Sequence, residues 1–155
     1  MKPNLKKFLI ALGIPLAVGG FAALLSGGMT GYRDLNQPPL SPPGWLFPIV
    51  WTILYLLMGY SSYRVYTTGH GDAAATKALR LYGAQLALNF IWPLVFFRLE
   101  WYLVAFLILI ALWLLIFLTM RAFSAVEEKA GDLLLPYLLW VTFAGYLNLG
   151  VYLLN

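Results

Sequence analysis

Apolar residues in this chain come in long runs, and charged residues are confined to the gaps between them. Charge-free stretches cover residues 8–32, 35–63, 81–97, 101–120 and 133–155. A helix rises 1.5 Å per residue, so about 20 apolar residues cross roughly 30 Å of hydrocarbon. The third stretch falls short of that length, but Ala73–Ala75 precede it, and Lys77 and Arg80 can snorkel to the headgroups. The pattern predicts an all-α, integral membrane bundle of five transmembrane helices forming a single domain over residues 1–155. The helices are expected near 5–26, 44–67, 75–97, 101–124 and 131–153. A membrane β-barrel is disfavoured, because the runs are continuously apolar and too long for strands of about ten residues with a dyad repeat.

Composition agrees. Of 155 residues, 62% are hydrophobic and 10% charged, against about a quarter charged in a soluble domain. Too few polar side chains remain to cover a water-facing surface. The chain lacks cysteine, which excludes thiolate metal sites and cysteine nucleophiles. Its net charge of +4 sits between apolar runs, where membrane topology explains it better than nucleic acid does.

Lys2, Lys6, Lys7, Arg64, Lys77, Arg80, Arg121 and Lys129 fall on one side of the five predicted spans, and only Arg33 and Arg98 on the other. Positive residues favour the cytoplasm in short loops. The expectation is an N-terminus inside and a C-terminus outside. The first run, Phe8 to Leu25, exceeds a signal-peptide core of about 7–15 residues and lacks a clear cleavage site, so a retained helix is expected. The outer loop 27–43 contains Gln37-Pro-Pro-Leu-Ser-Pro-Pro43. Four prolines restrict it to a stiff extended lid.

Conventional catalysis finds little support. Every acidic residue lies in or beside a loop, so no intramembrane carboxylate is available for proton coupling. His70, the one histidine, reads as a solvated turn residue, and no metal site is expected. The spans instead carry aromatic and amide side chains. Gln85, Asn89, Trp92 and Phe96 share one face of the third helix. Asn89 near mid-membrane demands a polar partner, so this face should point into the bundle, either as helix–helix hydrogen bonding or as a ligand contact. Trp45, Pro48, Trp51 and Tyr55 form a stripe on the second helix. Tyr137, Trp140, Ala144 and Leu147 do so on the fifth, with Asn148 alongside. Trp45 and Trp101 suit the membrane interface. Trp51 and Trp140 lie deeper, where each indole N–H should find an acceptor. Gly83 and Ala87 lie roughly 200° around the third helix from Gln85 and Asn89 and offer a small-residue contact for a second copy. Three aromatic faces beneath a stiff lid outline a pocket for a flat apolar molecule.

The segment Pro42-Pro-Gly-Trp-Leu-Phe-Pro-Ile-Val-Trp51-Thr-Ile-Leu-Tyr55 resembles the loop 1–helix 2 signature of the translocator protein family. That family is also called the tryptophan-rich sensory protein or peripheral-type benzodiazepine receptor family. Gln85-Leu-Ala-Leu-Asn89-x-x-Trp92-Pro and Pro136-Tyr-Leu-x-Trp140-x-x-Phe-Ala144-x-x-Leu147-Asn148 are similar to its helix 3 and helix 5 motifs. The resemblance implies a five-helix bundle, often a homodimer, that binds porphyrins such as protoporphyrin IX and isoquinoline- or benzodiazepine-type molecules beneath loop 1. Matched by position, the ligand-contact residues it implies are Tyr32, Trp51, Asn89, Trp140, Ala144 and Leu147. No cofactor is obligatory; the porphyrin is a ligand. The implied activity is that of a membrane receptor or sensor. Alternatives are a transporter of tetrapyrroles or other amphipathic molecules, and light-dependent porphyrin degradation in which Trp51 and Trp140 act as redox partners. Lack of a transit peptide favours a bacterial cell membrane.

Two departures bear on the lid. Leu40 stands where many members have tryptophan, and Gly31-Tyr32 where they have Trp-Tyr. A lid with fewer rings stacks less well on a flat ligand, an aromatic pair contributing about 0.5–1.5 kcal/mol. No basic residue follows Tyr146 or Tyr152, so a sterol motif is lacking and sterol binding is not expected as the native role.

Overall fold

A computed structural model describes residues 4–27, 32–69 and 71–155. Helix α1 spans Leu5–Ser26, α2 Leu46–Thr68, α3 Ala73–Pro93, α4 Tyr102–Val126, α5 Glu128–Asp132 and α6 Leu135–Leu154. No strand occurs among the described residues. His70 and Gly31 lie outside them.

Local chemistry sets the helix ends. Asn4 caps α1, its side chain accepting from Lys7 N at 3.2 Å, and Gly27 closes the helix at φ 82°, a left-handed position that suits glycine. Pro48 sits in the first turn of α2, and Pro136 in that of α6, where a missing N–H costs no hydrogen bond. The third predicted helix, placed at 75–97, instead ends its regular part at Pro93. Leu94–Arg98 follow as a widened π turn, with Leu99 N donating to Leu94 O at 3.0 Å. Proline cannot donate to the ladder, so the last turn is rebuilt with a longer loop of backbone. The fifth predicted helix, placed at 131–153, is also corrected. It is preceded by the separate short α5, because the chain is extended at Glu127 and turns again at Leu133 and Leu134.

Among the described residues, four stretches are long and apolar enough to cross a membrane: Leu5–Ser26, Leu46–Thr68, Tyr102–Val126 and Glu128–Leu154. Helix α3 is not among them. Lys77, Arg80, Gln85 and Asn89 dilute its apolar character.

Packing is close between α1 and α2, α1 and α3, α3 and α4, and α4 and α6, while α5 rests on α2 and α4. The core is centred on Met58, Val65, Leu112, Ile116, Phe123 and Tyr137, all fully buried. At Gly59 the backbones of α1 and α2 nearly touch. A Cβ there would lie 2.6 Å from Ala11 O and 2.7 Å from Leu12 Cα. At the C-terminal end of α2, Arg64 pairs with Glu127, whose second oxygen accepts from Thr68 Oγ1 at 2.7 Å. Ser61 Oγ donates to Ala130 O at 2.6 Å. These bonds fasten α5 and its approach to α2.

Candidate ligand site

Two sets of side chains occupy the bundle beneath the outer loop. The deeper set is polar. The Tyr55 hydroxyl of α2 donates to Asn89 Oδ1 at 2.9 Å, and Asn89 Nδ2 donates to the Tyr137 hydroxyl of α6 at 2.7 Å. That hydroxyl in turn donates to Gln85 Oε1 at 2.6 Å. One chain of hydrogen bonds thus joins α2, α3 and α6. Asn89 makes helix–helix hydrogen bonds, with both ends of its amide engaged. A second polar link lies toward the outer side. Trp92 Nε1 donates to Asn148 Oδ1 at 3.0 Å, and Asn148 Nδ2 donates to Tyr102 O at 2.8 Å.

The outer set is aromatic. Tyr32, in a 3-10 turn over Tyr32–Asp34, is buried and packs edge-on against Phe47 at 5.5 Å between ring centroids. Phe47 meets Trp140 at 5.8 Å, and Trp140 meets Phe143 at 5.5 Å. Trp51 lies below, 5.6 Å from the Tyr55 ring and 6.2 Å from that of Tyr137. The expectation that the deep indoles of Trp51 and Trp140 find acceptors fails at Trp140, whose N–H is buried with no hydrogen-bond partner. The indole that does find one is Trp92, outside that expectation. The Tyr32 hydroxyl is likewise buried and unpartnered. Burial raises its pKa above the ordinary phenol value, and the nearby Ser41 hydroxyl, already donating to Pro38 O at 2.7 Å, offsets only part of that.

The structure therefore gathers Tyr32 and Trp140 around Phe47, and joins Trp51 and Asn89 through Tyr55 and Tyr137. Ala144 is buried in the central core, and Leu147 is buried one turn further along α6. Phe47 was absent from the sequence-derived set. Phe47, Trp51 and Tyr55 are spaced i, i+4, i+8, and that spacing selects Phe47 over Trp45, which is 66% exposed. Gly83 and Ala87 are both exposed, away from the buried Gln85 and Asn89.

Close helix packing does not extend to α2 and α6. Between them runs an open, almost wholly apolar groove of about 430 Å³, lined by Val50, Ile53, Leu54 and Leu57 of α2 and by Pro136, Leu139, Trp140 and Phe143 of α6. No group of metal-ligating side chains occurs among the described residues.

The outer loop is not simply extended. After the 3-10 turn it bends at Pro39–Leu40, where Leu40 takes a left-handed φ of 71°. Gln37 Nε2 donates to Tyr32 O at 2.8 Å, and the Tyr146 hydroxyl donates to Pro39 O at 2.5 Å. The loop is thus fastened both to itself and to α6.

Comparison with known proteins gives this arrangement its context. The sequence pattern of the TspO/MBR family matches residues 11–154. The tryptophan-rich protein TspO of Chlorobaculum tepidum is 37% identical over 157 aligned positions, covering 100% of this chain and 99% of that protein. The tryptophan-rich sensory protein of Cereibacter sphaeroides is 40% identical, covering 96% of this chain and 89% of that one. The translocator protein of Bos taurus is 39% identical, with 89% and 85% covered. The chain belongs to the TspO/MBR family of membrane proteins.

Proposed function

We propose that this protein is a five-span membrane receptor, or sensor, that holds porphyrins of the protoporphyrin IX type and other flat hydrophobic molecules inside the helix bundle. One observation carries the reading: two buried donors, the Tyr32 hydroxyl and the Trp140 indole N–H, make no protein hydrogen bond, and both rings pack against Phe47. An unpaired buried donor costs about 1–3 kcal/mol, which an acceptor oxygen on a ligand would recover. A flat apolar body with carboxylates or carbonyls at its edge suits both features. Porphyrins, isoquinoline carboxamides and benzodiazepines share that chemistry.

Helix α3 supplies the fifth span. It lies along α1 and α4, both apolar enough to cross, and Lys77 and Arg80 near its start reach the headgroup layer by snorkelling. The N-terminus then faces the cytoplasm. A second copy docks on the exposed Gly83 and Ala87.

Titration of the purified protein with protoporphyrin IX, followed by tryptophan fluorescence, tests the site. Saturable quenching is expected. Tyr32→Phe and Trp140→Phe should each weaken binding about tenfold, the equivalent of 1.4 kcal/mol. No saturable quenching, or parent-like affinity in both variants, would overturn the reading.

A further inference from the structure

The helices close on one another all round the bundle except where α6 meets α2. The apolar groove occupies that seam and follows α2 from Val50 to Leu57, about 10 Å at 1.5 Å per residue. Among the described residues, no hydrogen bond joins this stretch of α2 directly to α6. Trp140 forms part of the groove wall and also touches Phe47 of the aromatic cluster. One ring of that cluster is therefore itself part of the seam.

The lid is held quite differently. Asn36 N donates to Asn155 Oδ1 at 3.1 Å, Asn155 Nδ2 returns a bond to Asn36 O at 2.9 Å, and Asn36 Nδ2 donates to Leu154 O at 3.3 Å. Pro38 is buried against Gly150, where a side chain would collide with the proline ring. Lifting the loop breaks all of these bonds together with the one from Tyr146 to Pro39 O. Parting α2 from α6 along the groove breaks no direct hydrogen bond between them, and lipid tails replace the apolar contact at little cost. The indirect link through Tyr55, Asn89 and Tyr137 is the one polar tie the opening must spare.

We propose that a flat hydrophobic ligand dissolved in the bilayer reaches the aromatic cluster sideways, between α2 and α6, while the outer loop stays fastened to α6. Trp140 and Phe143 are the rings that turn aside to admit it. This route rests on the ligand-binding reading above, and its failure is separable from the failure of that reading, because one concerns rate and the other saturation.

The chain has no cysteine, so introduced thiols are unique. In Ile53→Cys, an exposed position of the groove, a bulky maleimide blocks the seam. In Asn36→Cys with Asn155→Cys, a disulfide or a short bismaleimide locks the lid, with closure verified by mass. Both full-length proteins, in lipid nanodiscs, are mixed with protoporphyrin IX in a stopped-flow fluorimeter. Labelling the seam should slow association about tenfold or more, within the one to three decades that related complexes span, and locking the lid should change it less than about twofold. Unchanged association in the labelled seam variant overturns the route, as does slowed association in the locked-lid variant. Absence of saturable quenching in the parent removes the site, and with it the route.

Discussion

The Tyr137 hydroxyl accepts from one amide and donates to another in the middle of the bundle. Tyr137→Phe keeps the ring but leaves Asn89 Nδ2 and Gln85 Oε1 without partners. Buried unsatisfied groups cost about 1–3 kcal/mol, whereas interhelical bonds within membranes average about 0.6 kcal/mol because the unfolded chain finds other partners. A loss of about 1–2 kcal/mol is expected for Tyr137→Phe, read as a lower melting temperature in detergent. Tyr55→Phe frees only Asn89 Oδ1 and should lose less. At Leu40, the left-handed backbone is strained for any residue with a Cβ, by about 1–2 kcal/mol. Leu40→Gly relieves that strain and should raise the melting temperature, an increase limited by the extra freedom glycine has when unfolded. A drop on that substitution would show that the backbone strain at Leu40 is smaller than the freedom glycine regains on unfolding.

Glycines separate the two faces that matter at the level of helices. Gly59→Ala puts a methyl group against the backbone of α1, which has no side chain to swing away. Forced overpacking of this kind costs about 1–3 kcal/mol, so the variant should melt earlier. Gly83→Ala meets open space and gains helix propensity of about 1 kcal/mol; it should leave the monomer as stable or more so. Gly83→Leu should then abolish the proposed dimer in light-scattering measurements while the helical signal persists. Much of this level was legible in the sequence. Charge-free runs found the membrane helices because a hydrocarbon solvent leaves few choices for the backbone. The same pattern marked α3 as the marginal span. Less legible were the π turn after Pro93 and the break before α6, since hydropathy carries no information on how a backbone ladder is interrupted. The pairing of Asn89 with Tyr55 and Tyr137 was also hidden. Spacing along one helix shows which face a residue occupies, but not which neighbour that face meets.

Five spans, as proposed, would place the ends of the chain on opposite sides of the membrane. Fusions of reporters that work only inside or only outside the cell should therefore divide: activity inside for the N-terminus, and outside for the C-terminus. Equal activity on one side would return α3 to a non-spanning role and reverse the placement of every loop beyond it. If the reporters divide as expected, the fastening from Arg64 and Thr68 to Glu127 lies on the cytoplasmic side, and the clasp of the lid on the other.

The clasp also bears on how the protein is made. Asn36 and Asn155 are 119 residues apart in the chain, and synthesis runs from the N-terminus. The loop emerges before α2, yet its partner on α6 follows every other helix. Through most of biosynthesis the roof of the proposed binding site therefore lacks its clasp and has only its internal bonds and the Tyr32–Phe47 packing to hold it. Its closure waits for Asn155, so a ligand that needs a seated roof is retained only once α6 is in place.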